Sequence, residues 1–304
     1  MKIITATIGF CVGIEQAYQA MNRIAADRQS TFAVHQCTSP HKNGEWDTLS
    51  RIEHEDTRLF ARYPNLRNVS VLDSHDLSNL HNGDVVVVGF HGVGQRVRER
   101  LEEVGVVLDD RQCPFISRLN ETITTLVTEG FDVIIFGKRE NHHCLEANRL
   151  AETHGRRCVV AERPEDIETM PNEKERKWAF VGQVTGNTLE YDRVKQALRE
   201  KNIPVKVVET VCSDSYLRQN MAIKLAQEAD VVILVDDGSG SSLSVFEVCT
   251  EQEARVYRIR SKMDIQREWF AGIKKVVVVG GILVPQWTLD EVVQHMEQMV
   301  GLAV

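Results

Sequence analysis

The chain has 304 residues, 42% of them hydrophobic, enough to bury one large core or two to three smaller ones. A formal net charge of -8 argues against nucleic acid as a partner, because phosphate neutralisation needs concentrated Lys and Arg. No run approaches the ~20 apolar residues of a membrane span, and seven cysteines without a close pair predict a reduced, cytoplasmic setting over a disulfide framework.

In chain order, MKIITATIGF reads as a strand without a cleavage site, and Cys11 then opens an amphipathic helix in GFCVGIEQAYQAM. Strongly apolar β-branched runs follow at Asp84–Val88, Asp132–Phe136, Arg157–Ala161, Trp178–Val181, Asp230–Val235 and Val276–Val279, alternating with helical patterns. That alternation predicts α/β architecture with parallel sheets buried on both faces. Cys113 precedes the strand at Asp132 by 19 residues, and Cys212 precedes the strand at Asp230 by 18, with a helix filling each gap. The charged stretches PNEKERK and REKNI mark surface connections, and boundaries near residues 100 and 190 divide the chain into units 1–100 with Cys11, 101–190 with Cys113 and 191–304 with Cys212.

Cys11, Cys113 and Cys212 share one junction: the end of an apolar run and the start of a helix. A helix N-terminus carries roughly half a positive charge and favours thiolate over thiol. Separations of 102 and 99 residues are too long for a zinc finger and fit one ligand from each of three similar units. Three such thiolates suit a [4Fe–4S] cluster held by three irons with the fourth open, whereas the bland reading is three ordinary buried thiols. VVVVGFHGVG lacks the G-x-G-x-x-G spacing of a dinucleotide site, and the adjacent His142 and His143 lack the companions of a zinc site.

Four segments carry a resemblance. GFCVGIEQAY resembles the GFCxGVxRA motif of the 4-hydroxy-3-methylbut-2-enyl diphosphate reductase family (IspH, also called LytB), and FHGVGQRVR its AHGVSxxVR. CPFISRL is similar to that family's CPLVTKVH, and VCSDSYLRQ to its ICxATxxRQ, in the same order from Cys11 to Pro285. The resemblance implies a trefoil of three pseudo-equivalent α/β units around a [4Fe–4S] cluster held by Cys11, Cys113 and Cys212. It further implies a small-molecule substrate whose hydroxyl meets the open iron, and electrons from an external donor such as ferredoxin or flavodoxin. By the same likeness His91 and, across a two-residue insertion, His41 bind substrate, and Ser241 and Ser242 match a diphosphate-binding serine pair.

Departures from the family pattern concentrate in that pocket. HPEVEG appears as HHCLEA, which keeps His142 but puts Cys144 at the place of the proton-relay glutamate; His142 is then the expected proton donor. Val184 replaces a substrate-contacting threonine, with Thr185 or Thr188 as its substitute; Leu243 replaces an asparagine and Leu283 a serine. An apolar wall does not satisfy phosphate oxygens. The expected activity is therefore reduction or reductive dehydroxylation of a less anionic substrate, with the family's own diphosphate as the alternative. Another alternative is an electron carrier or sensor whose fourth iron is closed by Cys144 or Cys37.

Overall fold

The computed structural model describes residues 1–6, 9–26, 31–35, 39–40, 46–47, 69–73, 77–93, 95–170 and 176–301. The chain opens with β1 (Lys2–Thr5) and α1 (Val12–Ala26), followed by β2 (Thr31–His35) and the small antiparallel pair β3 (Ser39–Pro40) and β4 (Trp46–Asp47). Next come β5 (Val69–Asp73), β6 (Val85–Val88), α2 (Gln95–Val104) and β7 (Val107–Asp110). The middle of the chain forms α3 (Pro114–Thr128), β8 (Asp132–Phe136), α4 (His142–Thr153), β9 (Cys158–Ala161), α5 (Pro164–Thr169), β10 (Trp178–Gly182), α6 (Thr188–Glu200) and β11 (Val205–Val207). The last third forms α7 (Ser213–Gln227), β12 (Val231–Val235), α8 (Gly240–Thr250), β13 (Arg255–Ile259), β14 (Lys275–Gly280) and α9 (Gln286–Val300).

These strands build three four-stranded sheets in which every pairing is parallel, so the fold is α/β as the alternating runs predict. Their orders are β7–β6–β2–β5, β11–β10–β8–β9 and β1–β14–β12–β13. Central strands are apolar throughout because both their faces are covered. Val231, Ile233 and Val235 of β12 pack on one side with Leu289, Val292 and Met296 of α9. Val232 and Leu234 face the other side, against Ala222 and Ala226 of α7 and Val245 and Cys249 of α8. Each such Val, Ile or Leu contributes about 1.5–3 kcal/mol of burial. In the middle sheet Ile134, Phe136, Trp178 and Phe180 meet Tyr191, Val194 and Leu198 of α6.

Residues 12–118 form one compact unit, which carries the first sheet. Residues 1–11 and 119–304 form the other, which carries the remaining two. The strand that opens the chain thus belongs to the last sheet, with Lys2 paired to Lys275 and Thr5 to Val278. Among the described residues no helix is long and apolar enough to cross a membrane.

Candidate active site

The three sheets repeat one construction around a cysteine. In each, the strand at one edge (β1, β7 or β11) leads to a cysteine, and a 15-residue helix (α1, α3 or α7) begins at the very next residue. The neighbouring strand supplies the anchor. Its carbonyl, two residues past the strand end, accepts the cysteine amide: Ile282 O takes Cys11 N–H at 3.3 Å, Phe90 O takes Cys113 N–H at 2.7 Å, and Val184 O takes Cys212 N–H at 2.9 Å. Each cysteine is therefore fixed at the C-terminal end of a parallel sheet, the end at which such sheets bind ligands.

The repeat also orders the other candidate residues. Immediately after the three anchor carbonyls stand His91, Thr185 and Leu283. Six residues past the ends of β8 and β12 stand His142 and Ser241; His41 is six past the end of β2 in sequence and lies outside the described residues. The His91 ring lies 4.1 Å from that of Phe90, and Gly92 turns the chain with φ of 77°. A Cβ at Gly92 would collide with the Gln112 side chain beside Cys113.

His142 is the first residue of α4. Asn141 caps that helix, its side chain accepting His143 N–H at 2.9 Å. The two imidazoles stack with centroids 3.8 Å apart, His142 half-buried and His143 buried. Desolvation, reinforced by the neighbouring His142 ring, holds the pKa of His143 well below the ordinary imidazole value. Asn141 Nδ2 and Thr185 Oγ1 both face Gly240 at the start of α8, 3.8 and 4.0 Å from where its Cβ would be.

Ser241 and Ser242 are buried in the first turn of α8, and the hydroxyl of Ser242 is already engaged. It donates to Asp237 Oδ1 at 2.8 Å, and the same oxygen accepts Ser239 N–H at 2.8 Å. Oδ2 of Asp237 accepts Leu283 N–H at 3.1 Å, across from the other loop. Burial pushes the Asp237 carboxyl above its usual range, against the pull of these donors.

Residues 3–297 match the LytB protein family. The chain belongs to that family. Its relatives include the 4-hydroxy-3-methylbut-2-enyl diphosphate reductase of Aquifex aeolicus (strain VF5), 26% identical over 302 residues that span 98% of this chain and 96% of that one. The enzyme of the same name from Geobacter sulfurreducens (strain ATCC 51573 / DSM 12127 / PCA) is 29% identical over 308 residues, 98% of each. Among solved structures, the E-1-hydroxy-2-methyl-but-2-enyl-4-diphosphate reductase from Plasmodium falciparum superposes with a TM-score of 0.76 at 14% identity, over 97% of this chain and 87% of that one. A structure of (E)-4-hydroxy-3-methyl-but-2-enyl diphosphate reductase gives 0.60 at 24% identity, over 98% and 100%. These likenesses establish the α/β fold, and the family makes this chain an iron–sulfur oxidoreductase.

The donor set of this LytB chain fits a thiolate-bound cluster. Of the six described cysteines, none in a disulfide, Cys144, Cys158 and Cys249 have their thiol pKa raised by desolvation, those of Cys158 and Cys249 up to about 12. Cys144, fully buried in α4, has the charges of Cys158 and Glu162 raising its pKa further. Cys11, Cys113 and Cys212 instead each stand at the residue before a 15-residue helix begins. The Sγ of Cys113 lies 3.6 Å from where a Cβ on Gly13 would be, so glycine leaves room beside that sulfur. Among the described residues no three His, Cys, Asp or Glu side chains gather closely enough to share one ion, but thiolates that take separate irons of a cluster need not do so.

Two residues of the RQ motif carry a role that composition does not reveal. Arg218, buried in α7, donates to Gly9 O at 2.8 Å and Gly281 O at 3.3 Å, which brackets the Cys11 anchor. Gln219 accepts Thr188 N–H at 2.9 Å and donates to Gly186 O at 3.0 Å, which holds the loop of the Cys212 anchor. The buried positions of α7, namely Ser215, Arg218, Gln219, Ala222 and Ala226, follow helical periodicity. Polar groups on that inward stripe are the signal by which sequence could have found them.

Proposed function

We propose that this LytB-family chain is a [4Fe–4S] reductase performing two-electron reduction or reductive dehydroxylation on a small substrate that differs from the diphosphate named for its relatives. The observation that carries the reading is the threefold strand, cysteine, 15-residue helix junction with its repeated amide anchor. Cys11, Cys113 and Cys212 would hold the cluster, leaving one iron open. When bound, the cluster supplies a Lewis-acidic iron joined to an electron store, filled by an external donor of the ferredoxin or flavodoxin kind.

The chain's own residues bind substrate and move protons. His91 and Thr185 occupy corresponding positions after the anchor carbonyls, Ser241 stands six residues past the end of β12 as His142 does past β8, and His41 adds a further binding group by its sequence position. His142 delivers the proton, since the adjacent His143 stays neutral and Cys144 is turned into the core. The burial of Cys144 also speaks against its closing the fourth iron. Cys37 lies outside the described residues.

A second reading, that this is a genuine 4-hydroxy-3-methylbut-2-enyl diphosphate reductase, is supported by relatives of that name along nearly the whole chain. Both readings share the cluster and part at the substrate. Anaerobic protein with a chemical reductant is expected to turn over this diphosphate far below the ~1 per second typical of enzymes. Turnover at or above that rate would establish the second reading and discard the first.

A further inference from the structure

The loop between β12 and α8 and the loop after β14 present three donors to one point: Ser239 N–H, Ser242 Oγ–H and Leu283 N–H. Donors of this kind beside a helix N-terminus make an anion cradle. Here an anion from the chain itself already fills it. The Asp237 side chain takes all three, with both carboxylate oxygens used. A Cβ at Gly281 would collide with Ser242 Oγ and the Asp237 carboxylate, so glycine at this position allows the two loops to close over the group.

We propose that Asp237 is a specificity-determining residue: its carboxylate occupies the anion cradle of the serine loop and closes that loop to phosphate, so the substrate carries no phosphate there. The inference rests on the proposed reductase reading for what the site does, and on the geometry above for what it refuses. A phosphate entering the loop would meet the Asp237 carboxyl group already seated between the two loops. It would also find the donors it needs already taken.

Inorganic pyrophosphate is the probe, titrated calorimetrically into anaerobic holoprotein. The unaltered protein is expected to bind it weakly, and Asp237→Ala and the milder Asp237→Asn to bind it at least about tenfold more tightly, as release of donors that the carboxyl group holds predicts. Iron content and the reduced cluster's electron paramagnetic resonance spectrum, recorded on each protein, report separately on the reductase reading. Tight pyrophosphate binding by the unaltered protein, or no gain in a variant whose spectrum is unchanged, overturns the role of Asp237 and leaves the reductase reading standing. Absence of iron from the unaltered protein overturns that reading instead.

Discussion

Arg218 shows how a single side chain can govern a site it does not line. Its guanidinium satisfies carbonyls from the loop before Cys11 and the loop after β14. Replacing it by Met removes those bonds and leaves the carbonyls without their donor, a change of about 1–3 kcal/mol for each. Arg218→Met is therefore expected to lower the urea midpoint and to speed iron release on dilution. Unchanged values for both would show that the Cys11 loop holds itself. Gln219→Ala removes neutral bonds only and is expected to cost about 1–3 kcal/mol. At the chemistry, His142→Ala is expected to abolish turnover of the true substrate with the cluster's spectrum intact, while Cys144→Ala does much less. A spectrum that shifts in Cys144→Ala, with full turnover in His142→Ala, would reverse the two assignments.

Helix α4 turns the buried imidazole of His143 into a pH dependence. Its folded pKa lies well below 6.5, so as pH falls through 6.5 the unfolded chain takes up a proton that the folded chain refuses. Stability from this group is complete above pH ~6.5 and declines by up to about 1.4 kcal/mol per pH unit below it, until the folded pKa is reached. His143→Leu should flatten that part of the stability profile between pH 7 and pH 5, read by urea unfolding; a profile of unchanged slope would mean that other groups set the acid limb. Among strands, the apolar runs predicted at Asp132–Phe136 and Asp230–Val235 coincide with central strands because two covered faces demand continuous hydrophobicity. The edge strands β7 and β11 read VLDD and VKV, half-exposed and charged, and such runs carry no comparable signal.

At the scale of the whole molecule the cysteine junctions were legible, since a thiol between an apolar run and an amphipathic pattern is visible in the residue order. The anchors were not: Phe90, Val184 and Ile282 act through backbone carbonyls, which any residue provides. Nor does residue order reveal that β1 completes a sheet whose other strands begin 226 residues after Thr5, at Val231. Asp237 escaped for another reason, because a buried acid in a Gly- and Ser-rich loop looks like an ordinary turn until Leu283 N–H is seen on it. The repeat makes the three junctions equivalent, and that equivalence is the claim most exposed to experiment. Its direct test is the iron content of anaerobically purified protein. About four irons per chain are expected, lost on Cys11→Ser, Cys113→Ser or Cys212→Ser and kept on Cys249→Ser. Iron unchanged by all three substitutions, or lost equally with Cys249→Ser, would contradict the account.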